Sequence, residues 1–158
     1  MSTACLGGVV RLSAAGFTGT RKGLTWKQRG SLYLLLERTH PAWLHHGDCQ
    51  GADAEAHELA GRLRIRRIVH PPADNKLRAF CPSVPGLDGL ERSPLPYLKR
   101  DRVIVEETSW LIACPEGMER KQGSGTWYTI DFARSKERMV VFVWPDGTIE
   151  IDGWRDAL

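Results

Sequence analysis

The sequence predicts an α/β fold: a three-layer open sheet of five to six mainly parallel strands, in a single domain. Apolar runs of strand length alternate with amphipathic segments of helix length, which is the pattern of a parallel sheet with helices on both faces. The chain has 158 residues, 42% of them hydrophobic and 26% charged. That size suits one continuous core, and two independent domains would be crowded.

The first half of the chain contains three predicted strands and two predicted helices. The strands are residues 9–17, Trp43–His46 and residues 67–70, the last of which ends at a Pro-Pro pair. Thr25 and Gln28 have the spacing of a capping box, so they begin a helix that ends near Arg38. Residues 52–63 have alanine and leucine on one face and predict the second helix.

The second half continues the alternation after an irregular stretch. Residues 97–107 predict a helix, Trp110–Cys114 a strand, residues 126–136 a helix, and residues 139–144 a fully apolar strand of the buried type. A Pro-Asp-Gly turn then leads into a short strand at 148–151. The core therefore covers about residues 9–145 of a domain that spans 1–158.

Residues 73–96 are rich in proline, glycine and charge. A long irregular segment inside a compact domain is usually a functional flap or a disordered segment. We interpret it as a flap that takes part in ligand choice, with Arg78 as its candidate contact.

Charge and cysteine content exclude several classes of protein. The net charge is +3, but basic and acidic residues are interspersed, so a generic nucleic-acid coat is not indicated. The four cysteines are widely spaced, without a Cys-x-x-Cys pair or a secretory leader, and therefore favour a reducing cytoplasm over secretion or a zinc ribbon. No apolar run approaches the roughly 20 residues of a bilayer span. We expect a cytoplasmic protein without a membrane partner.

Three glycine-containing loops follow predicted strands, at residues 18–21, 47–53 and 114–126. In an open parallel sheet, ligands bind beyond the carboxyl ends of the strands, where the strand order reverses. The last two loops also open helices, whose free N–H groups favour an anion. The sequence therefore predicts that a ligand site forms where these loops meet.

The turn Gly123-Ser124-Gly125-Thr126 is the strongest of these signals. Its glycines permit close backbone approach, and its N–H groups and two hydroxyls can hold a phosphate at the start of a helix. An ordinary capped helix start has the same pattern. The position after the fourth strand favours the phosphate interpretation.

Charged and aromatic residues near these loops are candidate ligand contacts. Arg21 and Arg102 suit phosphate geometry, although a single arginine is more often a solvated surface residue. Asp48 and Asp53 can bind a ribose hydroxyl or cap the helix that begins near residue 52. Trp127 directly follows the phosphate turn and is the candidate for stacking on a base.

No metal ion and no cofactor is predicted. The metal-ligand residue types cluster only around residues 45–57, but His45 and His46 are adjacent on a strand and therefore point to opposite faces. Cys114 lies at a strand end without a histidine at a telling spacing. We interpret it as a buried cysteine rather than a nucleophile.

Three runs resemble the SMF/LOG (SLOG) superfamily of Rossmann-like domains: GDCQGADAEAH at 47–57, RDRVIV at 100–105 and GSGTW at 123–127. The superfamily includes the DNA-processing protein of transformation, the LONELY GUY phosphoribohydrolases and sensors of nucleotide-derived signals. The resemblance extends over about residues 14–145 and implies a homodimer as one partner. It implies ligand binding at these residues: Gly19, Thr20, Arg21, Gly47, Gly51, Asp53, Gly123, Ser124, Gly125 and Thr126.

The chain departs from the phosphoribohydrolases at their catalytic glutamate. Their Pro-Gly-Gly-x-Gly-Thr-x-x-Glu motif corresponds to residues 121–129, and Thr129 replaces the glutamate. A threonine cannot act as a carboxylate base, so the sequence favours a module that binds a nucleotide or nucleotide-derived ligand. Two alternatives stay open: N-glycosidic cleavage with Glu116 or Glu119 as the carboxylate, and single-stranded DNA binding, for which no basic stripe with interleaved aromatics is evident.

Overall fold

The computed structural model describes residues 14–153, together with the backbone of two short strands, β1 (Cys5–Leu6) and β2 (Val9–Val10). β1 and β2 pair antiparallel with each other. The strand predicted at 9–17 is therefore divided: its first residues pair with β1, and its last residues belong to the main sheet. Residues 11–13, within that prediction, lie outside the described residues.

The main sheet has seven strands: β3 (Ala14–Gly19), β4 (Trp43–His46), β5 (Arg66–Val69), β6 (Gly89–Glu91), β7 (Trp110–Cys114), β8 (Met139–Val143) and β9 (Ile149–Asp152). Their order is β6-β5-β4-β3-β7-β8-β9, and every pairing is parallel except that of β9 with β8. The predicted α/β class is confirmed. The sheet has one strand more than the five to six predicted, because β6 lies within the flap, where the sequence predicts no strand.

Four helices connect the strands: α1 (Trp26–Thr39), α2 (Ala52–Arg62), α3 (Tyr97–Glu106) and α4 (Gly125–Ser135). The capping box at the start of α1 is present, with Thr25 and Gln28 exchanging side-chain and backbone hydrogen bonds. The Gln28 amide also donates to the carbonyls of Pro115 and Val143, at 3.0 and 2.8 Å. Because Gln28 is buried, this amide fixes α1 against the ends of β7 and β8.

Apolar side chains form a core on each face of the sheet. One core packs α1 and α2 against Phe17, Leu44 and Ile112, and the other includes residues of α4 packed on Leu111 and Phe142. All five residues of β7 are buried, as expected for a central strand covered on both faces. None of the described helices is long and apolar enough to cross a membrane.

The flap is folded against the sheet. It contains a short 3-10 helix at Asn75–Leu77 and the strand β6, which pairs with β5. Gly89 is required at the start of β6, because a Cβ there would overlap the carbonyl oxygen of Arg67. The flap is therefore an ordered extension of the sheet edge.

Candidate functional site

A cleft of about 830 Å³ opens at the carboxyl ends of β3 and β7. The chain passes from β3 through β4 and β5 to one edge of the sheet, and β7 then returns to the other side of β3. The strand order thus reverses between β3 and β7, which is where open α/β sheets bind their ligands. The loops after β3, β4 and β7 and the first turns of α3 line the cleft.

Backbone hydrogen bonds tie these loops together. The Thr20 N–H donates to the Cys114 carbonyl at 3.1 Å, and the Ala52 N–H donates to the Thr20 carbonyl at 3.0 Å. Gly51 has φ of 90°, and a Cβ at this position would overlap the carbonyl of Arg21. Thr20 therefore connects the end of β7 to the start of α2, and these hydrogen bonds hold the walls of the cleft together.

The glycines implied by the resemblance divide into two kinds. A Cβ on Gly19 would meet Ala52 Cβ at 2.5 Å, and one on Gly47 would meet the Arg100 guanidinium at 2.6 Å, so the protein's own packing requires both. At Gly125 the nearest atom is Asp101 Oδ2 at 3.9 Å, and at Gly123 the space is open. Only the last two leave room for another molecule.

The glycine turn opens α4 toward the cleft. Gly123 has φ of 78°, and Ser124 is the N-cap residue, whose Oγ accepts from the Trp127 N–H at 3.4 Å. The N–H groups of Gly125 and Thr126 have no hydrogen-bond partner within residues 14–153. These are the donors that a helix N-terminus offers to an anion.

The two predicted arginines lie in different places. Arg21 lines the cleft with its guanidinium over the Tyr97 ring at 5.2 Å, and it forms no ion pair with any described residue. Arg102 is outside the cleft, because α3 turns it toward α4, where its Nε donates to the Tyr128 hydroxyl at 2.6 Å. Of the two, only Arg21 is placed to meet a ligand.

Arg100 and Asp101 form a buried ion pair at the floor of the cleft, with Nε and Oδ1 2.7 Å apart. Arg100 also donates to the carbonyls of Gly47 and His70 and thereby holds the ends of β4 and β5. Burial raises the pKa of Asp101, and Arg100 opposes that shift. The sequence prediction missed this pair, although RDRVIV begins with it.

Asp53 is a buried carboxyl in the wall of the cleft. Its Oδ2 accepts from the Cys49 N–H at 3.1 Å. Burial raises its pKa from 3.8 to about 7, with Arg100 opposing the shift. Asp53 does not cap α2, whose N-cap is Gly51 without a side-chain hydrogen bond.

Asp48 and Arg78 anchor the flap beneath the loop after β4 rather than lining the cleft. Asp48 is fully buried and pairs with Arg78 Nε at 2.7 Å, and its other oxygen accepts from the Cys81 N–H at 2.8 Å. Arg78 also pairs with Glu91 at 2.7 Å. Asp48 and Arg78 therefore bind each other, and neither side chain lines the cleft.

Glu116 crosses the mouth of the cleft. Its carboxylate lies 2.6 Å from Lys22 Nζ and 3.1 Å from Lys121 Nζ, so it joins the loop after β3 to the loop after β7. Hydrogen bonds from these two lysines lower the pKa of Glu116. Glu119 also lines the cleft.

Two further predicted residues face inward. The Trp127 ring packs against Phe142 and Trp144, with centroids 6.0 and 6.4 Å away, and only 8% of the residue is exposed. It lines the cleft mainly as part of the core. Thr129 is buried, and its hydroxyl donates to the Gly125 carbonyl at 2.8 Å. Its position supplies no carboxylate to the cleft.

Cys114 is fully buried at the end of β7, and burial raises the pKa of its thiol. A buried thiol with a raised pKa is a poor nucleophile.

No family model matches the sequence, and comparison with curated protein sequences finds no match. Among solved structures, the molybdenum cofactor binding protein from Rippkaea orientalis is similar, with a TM-score of 0.63 and 18% identity over 85% of this chain and 77% of that chain.

DNA processing protein A is similar from two sources. The Streptococcus pneumoniae protein has a TM-score of 0.56 and 19% identity over 83% of this chain, which spans 50% of that protein. The Helicobacter pylori protein, described as binding single-stranded DNA, has a TM-score of 0.57 and 15% identity over 84% of this chain and 65% of that one. The chain thus has a Rossmann-like α/β fold, as its sequence predicts.

Proposed function

We propose that the chain binds a nucleotide or nucleotide-derived ligand in the cleft, with a phosphate at the N-terminus of α4. The supporting observation is that several hydrogen-bond donors without a partner among the described residues lie at the open cleft. The N–H groups of Gly125 and Thr126 have no partner within the described residues, and Arg21 offers a guanidinium that no described carboxylate neutralises. The cleft volume falls within the range of about 300–1,000 Å³ typical of small-molecule sites.

The similar structures support a binding role for this chain. They include a molybdenum cofactor binding protein and a protein that binds single-stranded DNA. The ligand classes differ, so the assignment to a nucleotide rests on the cleft of this chain and on its resemblance to the SLOG superfamily.

Native mass spectrometry with a mixture of the four ribonucleoside 5′-monophosphates tests the proposal without presupposing the base. We expect one bound nucleotide per chain. Arg21→Ala should weaken binding about tenfold, equivalent to about 1.4 kcal/mol. Arg102→Ala is the matched control and should bind like the unmodified protein, because Arg102 is turned toward Tyr128.

Two results would contradict the proposal. One is the absence of any nucleotide adduct in a protein that is folded by circular dichroism. The other is an equal loss of binding in Arg21→Ala and Arg102→Ala, which would mean that only net charge matters.

Hydrolysis of the N-glycosidic bond is the second candidate function. Thr129 replaces the family glutamate, but Asp53 supplies another carboxyl to the cleft, and its pKa of about 7 suits a general acid or base near neutrality. Release of adenine and ribose phosphate from AMP would support this function. It should be abolished by Asp53→Asn and retained in Glu119→Gln, and no release above a protein-free blank would exclude it for AMP.

Single-stranded DNA binding is the remaining alternative. It predicts that an oligodeoxythymidine binds with an affinity that falls steeply with salt, because each phosphate contact releases a counterion. A mononucleotide in a cleft with few cations should depend on salt much less.

A further inference from the structure

His45 and His46 point to opposite faces of β4, and each meets a second histidine there. His46 contacts His57 of α2 on one face, and His45 contacts His70 at the end of β5 on the other. All four imidazoles are buried. The two pairs differ in how their ring nitrogens are used.

The pair His46–His57 is closed, in the sense that every nitrogen of the two rings has a hydrogen-bond partner. The Asp48 N–H donates to His46 Nδ1 at 3.1 Å, so the proton of this neutral ring is on Nε2 and is donated to His57 Nδ1 at 2.9 Å. His57 Nε2 then donates to the Pro82 carbonyl at 2.8 Å. Every ring nitrogen is occupied, so no lone pair is free, although the Cys81 sulfur lies close to both rings.

The pair His45–His70 is open. His45 Nδ1 and His70 Nε2 lie 2.9 Å apart, and neither ring makes another hydrogen bond within residues 14–153. One nitrogen of each ring and a carboxylate oxygen of Glu107 all lie within 4.8 Å of one another. Burial lowers the pKa of His45 to about 4 and that of His70 to about 3, so both rings are neutral near neutral pH.

We propose that His45, His70 and Glu107 form a binding site for a divalent transition metal ion such as Zn²⁺. Two imidazoles and one carboxylate with an open fourth position are a ligand set that Zn²⁺ accepts, with bonds of about 2.0–2.2 Å. Tetrahedral coordination places two such nitrogens about 3.3 Å apart, so the pair would open by only a few tenths of an ångström. The proton that now lies between the rings would move to the other nitrogen of the ring that carries it, so that both rings stay neutral and both facing nitrogens can bind the ion. The Glu107 side chain is 27% exposed, which gives water access to the fourth position.

Two arginines, Arg92 and Arg100, lie near this cluster, and their charges affect how strongly it would bind a metal ion. Arg100 is neutralised by Asp101 at 2.7 Å. Arg92 pairs with Glu107 at 3.0 Å and competes with a metal ion for that carboxylate. The Arg92 side chain is 45% exposed, so it can move into water when the ion binds. Removing Arg92 should therefore strengthen metal binding.

Titration of the chelator-treated full chain with Zn²⁺ by calorimetry, and with Co²⁺ by visible absorption, tests the site. We expect one ion per chain and a Co²⁺ spectrum of low-symmetry nitrogen and oxygen coordination. His70→Ala and Glu107→Gln should each weaken binding at least about tenfold. Arg92→Ala should bind more tightly, and His57→Ala, from the closed pair, should bind as the unmodified chain does.

Glu107→Gln keeps the test decisive if His70→Ala does not fold, because the glutamine can still accept from Arg92 at a partly exposed position. The proposal is overturned if the unmodified chain takes up neither ion. It is also overturned if His57→Ala abolishes binding while Glu107→Gln leaves it unchanged. Either result would mean that His45 and His70 form only a neutral hydrogen bond.

Discussion

Arg100 and Asp101 are charged residues on the buried face of α3, which they share with apolar residues. Tyr97, Ile104 and Val105 predict which side of the helix is buried, and Asp101 follows Tyr97 by one turn on that side. A charged residue on an apolar face is a signal for a buried ion pair. The sequence prediction chose Arg102 instead, because arginine on a polar face is accessible, and only the structure shows that Tyr128 holds it.

Asp53 should make the stability of the protein depend on pH. Burial raises its pKa from 3.8 to about 7, so the folded chain holds a proton that the unfolded chain releases. Stability contributed by Asp53 is therefore full below about pH 4 and declines as the pH rises to about 7, at up to about 1.4 kcal/mol per pH unit. Asp53→Asn removes this titration.

Urea unfolding of both proteins across that range checks the expectation. The free energy of unfolding of Asp53→Asn, relative to the unmodified chain, should rise with pH and level off above about pH 7. Asp131→Asn is the control, because Arg120 lowers the pKa of Asp131 and its contribution is constant above the unfolded value. A pH-independent difference for Asp53→Asn would refute the expectation.

Glu116 should compete with an anionic ligand for Lys22 and Lys121. Glu116→Gln frees both lysines, and we expect nucleotide affinity to rise about two- to fivefold, an effect that salt should diminish. Glu119→Gln removes the same charge from the cleft, but Glu119 forms no ion pair with a described residue. Calorimetry with both variants separates release of the lysines from loss of charge. Equal gains would favour charge alone.

At the scale of elements, patterns in the local sequence predict the helices. The predicted bounds of all four helices lie within one residue or so of the structure, because apolar periodicity and the capping box are encoded locally. The strand β6 was missed, since three residues beginning with glycine carry no strand pattern and form a strand only by pairing with β5.

The attachment of α1 depends on one buried amide. Gln28→Leu leaves the carbonyls of Pro115 and Val143 without their donor, and we expect the free energy of unfolding to fall by about 2–4 kcal/mol. Lys27→Ala, on the exposed side of the same turn, should change it by no more than about 0.5 kcal/mol. Urea unfolding measures both. A loss below about 1 kcal/mol for Gln28→Leu would mean that water replaces the amide.

At the scale of the whole molecule, the strand order determines where the site forms. The sequence predicts that three loops meet at one edge, because parallel strands place their carboxyl ends together. It could not predict the flap anchor between Asp48 and Arg78 or the pairing of His45 with His70. These contacts join segments that are 25 or more residues apart, and no local pattern encodes them.

The hydrogen bonds of Thr20 to Cys114 and Ala52 have a kinetic consequence. Because the chain's own backbone hydrogen bonds hold the cleft walls together, association should follow a single exponential, with no slow phase for loop closure. The amide protons of Thr20 and Ala52 should exchange slowly with deuterium whether or not nucleotide is present. Gly51→Ala would separate these loops, because its Cβ overlaps the Arg21 carbonyl. Stopped-flow mixing of that variant should show the second phase that the unmodified chain lacks.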